Sequence, residues 1–373
     1  MAMEKMAMGT DLQERDEALR REAASVMKWR KLSGMDGLVG GLQAVIINTE
    51  EHLQNAAVEE IIRYSGLQFE VGFEDREYRT FVLKVPGSGE FRSSDFLIRS
   101  RLNSDNPFRT VNMAAQTGSY PSTRLETFVF ETCDIERYVS IQTRANVKFE
   151  SEILDLGNCY FIQTVPSRFT GNSLGFIEWK GKRGVYSCPE SRMISRRTQA
   201  FESSSHLKNI RWLDHAATRV RAQDRDPAIL EFMRLTNYNF DFAIYISSLN
   251  SITNVARLSS SDFAMVFTSG ITPFVSRQES GPTEKFISNF GPRVHHIAFQ
   301  TDEIESTVEA LRKEGMQFLL DLVGSPEEGL KQIFSQPSRN TLLVTEYIHR
   351  YGDFDGFFTK SNVTSLTAAT AKQ

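Results

Sequence analysis

Cysteine is scarce in this chain: three residues among 373, Cys133, Cys159 and Cys188, odd in number, widely spaced and without a CxxC pair. That argues against a disulfide framework and against a zinc-thiolate site, and points to a reducing, cytoplasmic setting. No apolar run approaches the roughly 20 residues that a membrane span needs. The N-terminal stretch lacks the apolar core of a secretory signal. Neither sign of charge dominates. Lys and Arg number 43 and Asp and Glu 47, a net charge of −4, which leaves no footprint for nucleic acid. Histidine is also sparse, at six residues. Two of them stand side by side, His295 and His296 in GPRVHHIAFQ, within an apolar stretch that reads as a β-strand.

What is present suits a soluble globular protein of two ordinary domains: 40% hydrophobic residues, 24% charged, and 27 phenylalanines to fill the interior of large sheets. Residues 1–37 read as a helical arm. From about Asp11 to Lys31 the composition is Glu, Arg, Ala and Leu, the pattern of a charged surface helix, either solvated or an arm that packs on the body or on a partner. The tail, 359–373, reads as a short helix with a frayed end.

The main feature is an internal repeat. RLETFVFETCDIERYVSIQTRANVKF (Arg124–Phe149) aligns without a gap on RVHHIAFQTDEIESTVEALRKEGMQF (Arg293–Phe318). Each copy reads as a strand, an acidic turn and an amphipathic helix. Leu42–Glu70 resembles Leu213–Asp241, and Ser173–Arg183 resembles Thr341–Tyr351, with Glu178 set opposite Glu346. A PSR triplet recurs at Pro166–Arg168 and Pro337–Arg339. The expectation is an α+β fold: four βαβββ modules forming two open-barrel halves, 38–185 and 206–358, joined by a polar, serine-rich linker, 186–205.

The halves differ in chemistry. The second carries His215, His296 and Glu346. The first has Ala44 and Thr127 at the histidine positions and retains only Glu178. Period-two alternation puts each of the three groups on a face of small or apolar residues: Leu213/His215/Ala217, Val294/His296/Ala298 and Val344/Glu346/Ile348. Two imidazoles and one carboxylate converging on a point form the facial triad of non-haem Fe(II) oxygenases, which leaves positions open for substrate and O₂. The competing reading is a hydrogen-bonded core histidine beside a paired carboxylate. Strict alternation sends His295 away from His296; a bulge would turn it toward the site.

The ordered set LDH, HHIAFQTDEIESTVEALRKEGMQFL and QIFSQPSRNTLLVTEYIHR…GFF resembles the catalytic domain of the 4-hydroxyphenylpyruvate dioxygenase and 4-hydroxymandelate synthase family, of the vicinal oxygen chelate superfamily. The resemblance implies Fe(II) held by His215, His296 and Glu346. It also implies Gln332 and Phe334 facing the substrate, Phe358 closing the pocket below the C-terminal helix, and Ser261 as a pocket serine. The implied reaction is oxidative decarboxylation of an arylpyruvate-like 2-oxo acid by O₂ with hydroxylation of the same molecule, giving a homogentisate- or hydroxymandelate-type product. The implied partners are that small molecule and O₂, with no nucleic acid or membrane, and with a homo-oligomer as an option.

The sequence also departs from that family. His295 stands where it has glutamine, Ser276 where it has a pocket asparagine, and Val344 where it has phenylalanine. Val363 replaces an aromatic wall with an aliphatic one, as in the mandelate synthase. These changes leave the metal chemistry in place and alter the surroundings of the substrate tail, which points to a different substrate. Two other readings remain at this stage: a binding protein on the same fold and a ring-cleaving dioxygenase.

Overall fold

The computed structural model describes residues 2–86, 93–195, 205–352 and 354–373. The first sheet has nine strands: β1 (Val39–Asn48), β2 (Gln68–Glu74), β3 (Tyr78–Lys84), β4 (Asp95–Arg101), β5 (Arg124–Thr132), β6 (Leu154–Asp155), β7 (Cys159–Gln163), β8 (Ser173–Trp179) and β9 (Arg192–Ile194). The second has eight: β10 (Ile210–Arg219), β11 (Asn239–Ile246), β12 (Ser251–Arg257), β13 (Ala264–Ser269), β14 (Arg293–Thr301), β15 (Val323–Ser325), β16 (Leu330–Phe334) and β17 (Val344–Arg350). The helices are α1 (Ala2–Ser33), α2 (Gln54–Ser65), α3 (Ile135–Arg144), α4 (Arg225–Leu235), α5 (Pro282–Phe290), α6 (Ile304–Lys313) and α7 (Lys360–Ala369).

Grouped in chain order, these elements are four βαβββ modules: β1-α2-β2-β3-β4, β5-α3-β6-β7-β8, β10-α4-β11-β12-β13 and β14-α6-β15-β16-β17. The strand orders, β6-β7-β8-β5-β1-β4-β3-β2-β9 and β11-β12-β13-β10-β14-β17-β16-β15, are the same plan used twice. In each half the two modules meet through their first strands, antiparallel, and each module's last strand runs parallel to its first. The helices follow their sequence pattern. In α6, Ile304, Thr307, Val308 and Leu311 form one buried stripe at helical spacing. In α3, Asp134 caps the N-terminus by accepting from the Arg137 amide.

Register shows what alternation conceals. Along β10 and β14, Ala217 pairs with His296 and Thr218 with Val294, so His295 is an extra, bulged residue. The first half has the same bulge: Ile46 pairs with Thr127 and Ile47 with Leu125, leaving Glu126 extra. Register also corrects the alignment of Glu178 with Glu346. His296 pairs with Val344 and Thr127 with Ser173, so Glu346 corresponds to Gly175. A Cβ at Gly175 would lie 3.0 Å from the Phe161 ring and 3.2 Å from Thr127 Cγ2. In the first half an aromatic ring therefore crowds the place where the second has a carboxylate.

Two further expectations resolve. Helix α1 is an arm packed on the body rather than a solvated one: Leu19, Ala23, Val26 and Arg30 lie on one face and are buried. Arg30 donates to the carbonyls of Thr236 (3.1 Å) and Tyr238 (2.9 Å), just past the C-terminal end of α4, where a cation suits the helix dipole. Within the stretch read as a linker, β9 pairs with β2 and extends the first sheet; residues 196–204 lie outside the described residues.

The halves meet along a seam with pseudo-two-fold character. Arg124 donates to the Pro292 carbonyl and Arg293 to the Thr123 carbonyl (2.8 Å). The PSR serines do the same on helices of the opposite half: Ser167 bonds Glu231 of α4, and Ser338 bonds Glu60 of α2 at 2.7 Å. Among the described residues, no helix is long and apolar enough to cross a membrane.

Candidate metal centre

Three adjacent strands of the second sheet, β10, β14 and β17, carry His215, His296 and Glu346 into its concave face, and all three residues are buried. His215 Nε2 lies 3.0 Å from Glu346 Oε2, and His296 Nε2 lies 3.3 Å from the same oxygen. One ligand atom from each falls within 4.8 Å of the others. Adjacent ligands of an octahedral ion with bonds of about 2.1 Å sit about 3.0 Å apart. The two nitrogen-oxygen spacings therefore suit neighbouring positions around a six-coordinate divalent ion, and nitrogen-nitrogen-oxygen is a donor set that Fe(II) accepts.

The outer atoms of each ligand are engaged. His215 Nδ1 meets Asp214 Oδ1 at 2.7 Å, and Asp214 is gripped by Arg350 at 2.6 and 3.2 Å. Glu346 Oε1 accepts from Gln332 Nε2 at 2.6 Å, and Gln332 Oε1 accepts from Asn362 Nδ2 of α7 at 3.0 Å. His296 Nδ1 meets His295 Nδ1 at 2.9 Å, and His295 Nε2 meets Gln373 Oε1 at 2.8 Å. The two Nδ1 atoms share one proton between them, and the far nitrogen of His295 is held by the Gln373 side chain. Both ligand imidazoles thus have Nδ1 engaged outward and turn Nε2 inward toward Glu346, the arrangement that metal ligation needs.

The electrostatics match. Burial favours neutral His215, but the Glu346 charge and the hydrogen bond to Asp214 outweigh it and raise its pKa to about 9. Burial, together with the neighbouring histidines, holds His296 well below its ordinary value; His295 is lowered by burial and by Arg219. Protonated His215 is thereby set against the Glu346 carboxylate, at the point where a divalent cation would take the place of that proton.

The pocket over this cluster is a small cavity, about 40 Å³, lined by His295, His296, Glu346, Phe334, Phe358 and Arg219 among others. Phe334 lies against His296, with ring centroids 4.6 Å apart, and Phe357 and Phe358 lie against His215 at 5.5 and 5.1 Å. Helix α7, which supplies Asn362, Val363 and Leu366, touches β11 at one edge of the sheet and β15 and β16 at the other, and so spans its open mouth. A much larger cavity, about 1000 Å³, lies on the seam between Trp29, Phe128, Arg168 and Phe267. Among the described residues, the convergent ligand set of His215, His296 and Glu346 belongs to the other site and not to this cavity.

The sequence-derived residues divide accordingly. Phe334, Phe358, Val363 and His295 line the pocket. Gln332 also lines it, but its amide is committed to Glu346 and Asn362 rather than to open space. Val344 is fully buried behind the site, packed with Phe334 and Leu366. Ser261 and Ser276 are not brought to the cluster. Ser261 is exposed and bonded to Ser259, and Ser276 lies on a loop and bonds Glu279. Sequence reasoning missed Asp214, Arg350, Asn362 and Arg219. Arg219 was within reach, since it continues the face Leu213/His215/Ala217.

No protein-family model and no curated protein matches the sequence. Solved structures match by fold. A triple mutant of 4-hydroxymandelate synthase from Streptomyces coelicolor superposes with a TM-score of 0.67 at 14% identity, over 90% of this chain and 99% of that one. A fusion of a xylose isomerase-like TIM barrel with 4-hydroxyphenylpyruvate dioxygenase gives 0.61 at 15% identity, over 90% of this chain and 53% of the fusion. The chain has the duplicated vicinal-oxygen-chelate α+β fold of those proteins.

Proposed function

We propose that the protein is an Fe(II)-dependent dioxygenase that takes a 2-oxo acid and O₂, oxidatively decarboxylates the 2-oxo acid and hydroxylates the same molecule. The observation that carries this reading is the convergence of His215 Nε2, His296 Nε2 and Glu346 Oε2, with the outer atom of each ligand held by a separate partner. Bound Fe(II) would supply redox chemistry with O₂ and open positions for a 2-oxo acid chelate.

The remaining contributions come from the chain. Asp214, His295 and Gln332 fix the two imidazole orientations and the carboxylate rotamer, so that little reorganisation accompanies metal binding. Phe334, Phe357 and Phe358 form an apolar collar that keeps water from the metal side. Helix α7 closes the mouth, and Val363 faces the substrate tail with an aliphatic rather than an aromatic wall. That wall favours benzylic or aliphatic hydroxylation of the substrate chain over attack on a ring.

An anaerobic Fe(II) titration followed by addition of a 2-oxo acid should produce a weak visible charge-transfer band, with turnover on admitting O₂. In His296→Ala, Fe(II) affinity should fall by about 100-fold or more and the band should vanish. Retention of tight iron binding or of turnover in that variant would sink the reading. Mass spectrometry and NMR of the product from 4-hydroxyphenylpyruvate distinguish ring from side-chain hydroxylation.

A further inference from the structure

The pocket contains a guanidinium that no carboxylate pairs with among the described residues. Arg219 ends β10, on the same face as His215, and is only 4% exposed. Its Nη2 donates to Thr370 Oγ1 at 2.9 Å, and its guanidinium lies over the Phe286 ring, 4.5 Å from the centroid. Its Nη1 is buried with no hydrogen-bond partner, and among the described residues no carboxylate forms an ion pair with it. The other charged or titratable groups whose fields it shares are His295 and His296, which are themselves cationic when protonated. Burial alone pulls its pKa down to about 9, so it stays charged at neutral pH. A buried, unpaired guanidinium costs several kcal/mol, and proteins tolerate one where a ligand completes it.

The surroundings point the same way. Thr253, Thr268, Thr283, Thr367 and Thr370 line the pocket, and Thr268, the register partner of Arg219, has a buried hydroxyl without a partner. The hydroxyls and the one cation suit an anion at this end, while Val266, Phe334, Phe358, Val363 and Leu366 give the rest of the lining an apolar character that suits an aliphatic chain. Four residues of strand, about 13 Å between α-carbons, separate Arg219 from His215. The two therefore address opposite ends of one molecule. One guanidinium matches a monoanionic carboxylate.

We propose that Arg219 is the anion-binding end of the substrate site, and that the substrate is a short aliphatic 2-oxo acid with a second carboxylate remote from the 2-oxo group. This rests on the metal reading above and sharpens its substrate class. Arg219 binds the remote carboxylate through Nη1, with Thr268 as the second donor, and the 2-oxo acid end reaches the metal face of His215, His296 and Glu346.

The test compares matched pairs of acids on the full chain loaded anaerobically with Fe(II), by calorimetry and by the charge-transfer band: 2-oxoadipate against 2-oxohexanoate, and 2-oxoglutarate against 2-oxopentanoate. The diacids should bind at least about 30-fold tighter than the monoacids. Arg219→Met should remove that preference by weakening the diacids while leaving the monoacids and Co(II) affinity within about 3-fold. Arg219→Lys should restore part of it. The metal-free Arg219→Met protein should melt at the same temperature as the wild type or higher, because an uncompensated buried charge is gone. Equal binding of diacids and monoacids by the wild type, uniform weakening in Arg219→Met, or a lower melting temperature would each overturn the assignment. Failure of Co(II) or Fe(II) to bind the wild type would overturn the metal reading instead, before Arg219 is tested.

Discussion

His295 Nδ1 lies 2.9 Å from His296 Nδ1, a contact that neighbours on a regular strand, facing opposite ways, do not make. The bulge turns His295 inward and sets its Nδ1 against that of its neighbour, so that the two rings share one proton. His295→Gln keeps an acceptor oxygen at that position, so metal affinity should stay within about 3-fold. His295→Leu removes the hydrogen-bond partner and should lower affinity by about 10- to 100-fold. Competition with a chelator, monitored by Co(II) absorption, measures both.

Gln332 holds the carboxylate oxygen of Glu346 that points away from the histidines. Gln332→Leu preserves much of the volume and frees that carboxylate to rotate. Metal affinity should fall about 10- to 100-fold, with the far-ultraviolet circular dichroism spectrum unchanged. Affinity within a factor of three of the wild type would show that packing alone orients Glu346.

At the equivalent bulge of the first half, Glu126 takes both of its hydrogen bonds from Arg101, at 2.7 and 2.8 Å, with both side chains buried. Arg101→Met strands that carboxylate and should cost about 3–5 kcal/mol in urea unfolding. Adding Glu126→Gln should recover most of the loss. If the single variant costs under about 1 kcal/mol, the pair is not an isolated buried couple.

Asp95, inside the first half, is raised to about 6 by burial, against the opposing hydrogen bond from Tyr186. A raised carboxyl contributes stability that is fully present below its unfolded pKa near 4 and is lost as pH rises through about 6. Asp95→Asn should therefore match the wild type at pH 4 and exceed it by on the order of 2 kcal/mol at pH 8. Urea midpoints at the two pH values give the difference, and a constant offset would count against this assignment.

The four modules and the triad were legible because both rest on periodicity: two-residue alternation on strands and 3.6-residue stripes on helices write themselves into the sequence. The inward turn of His295 was not, because a bulge belongs to a pair of strands rather than to either one. Matching Glu178 to Glu346 failed by three residues for a similar reason. Identity of letters favoured it, whereas cross-strand register assigns that place to Gly175. Ser261 and Ser276 lie on loops, whose course no periodicity constrains. Burial along α1 was masked by composition, since one apolar stripe is enough to dock a helix that is charged elsewhere. Arg219 was passed over because a lone arginine at a strand end reads as surface until its lack of any acidic partner is visible.

The reciprocal grip of Arg124 and Arg293 bears on how the chain comes apart. Each guanidinium finds an acceptor in the opposite half, on the residue just before the other arginine. Peeling one half away leaves both cations short of a partner and opens the shared aromatic core, where Phe96 stacks on Phe299. Neither half is then a refuge for the other, and heat should melt the molecule in a single transition. The repetition visible in the sequence is thus no licence to divide the protein: its two barrels are copies in plan and a single unit in stability.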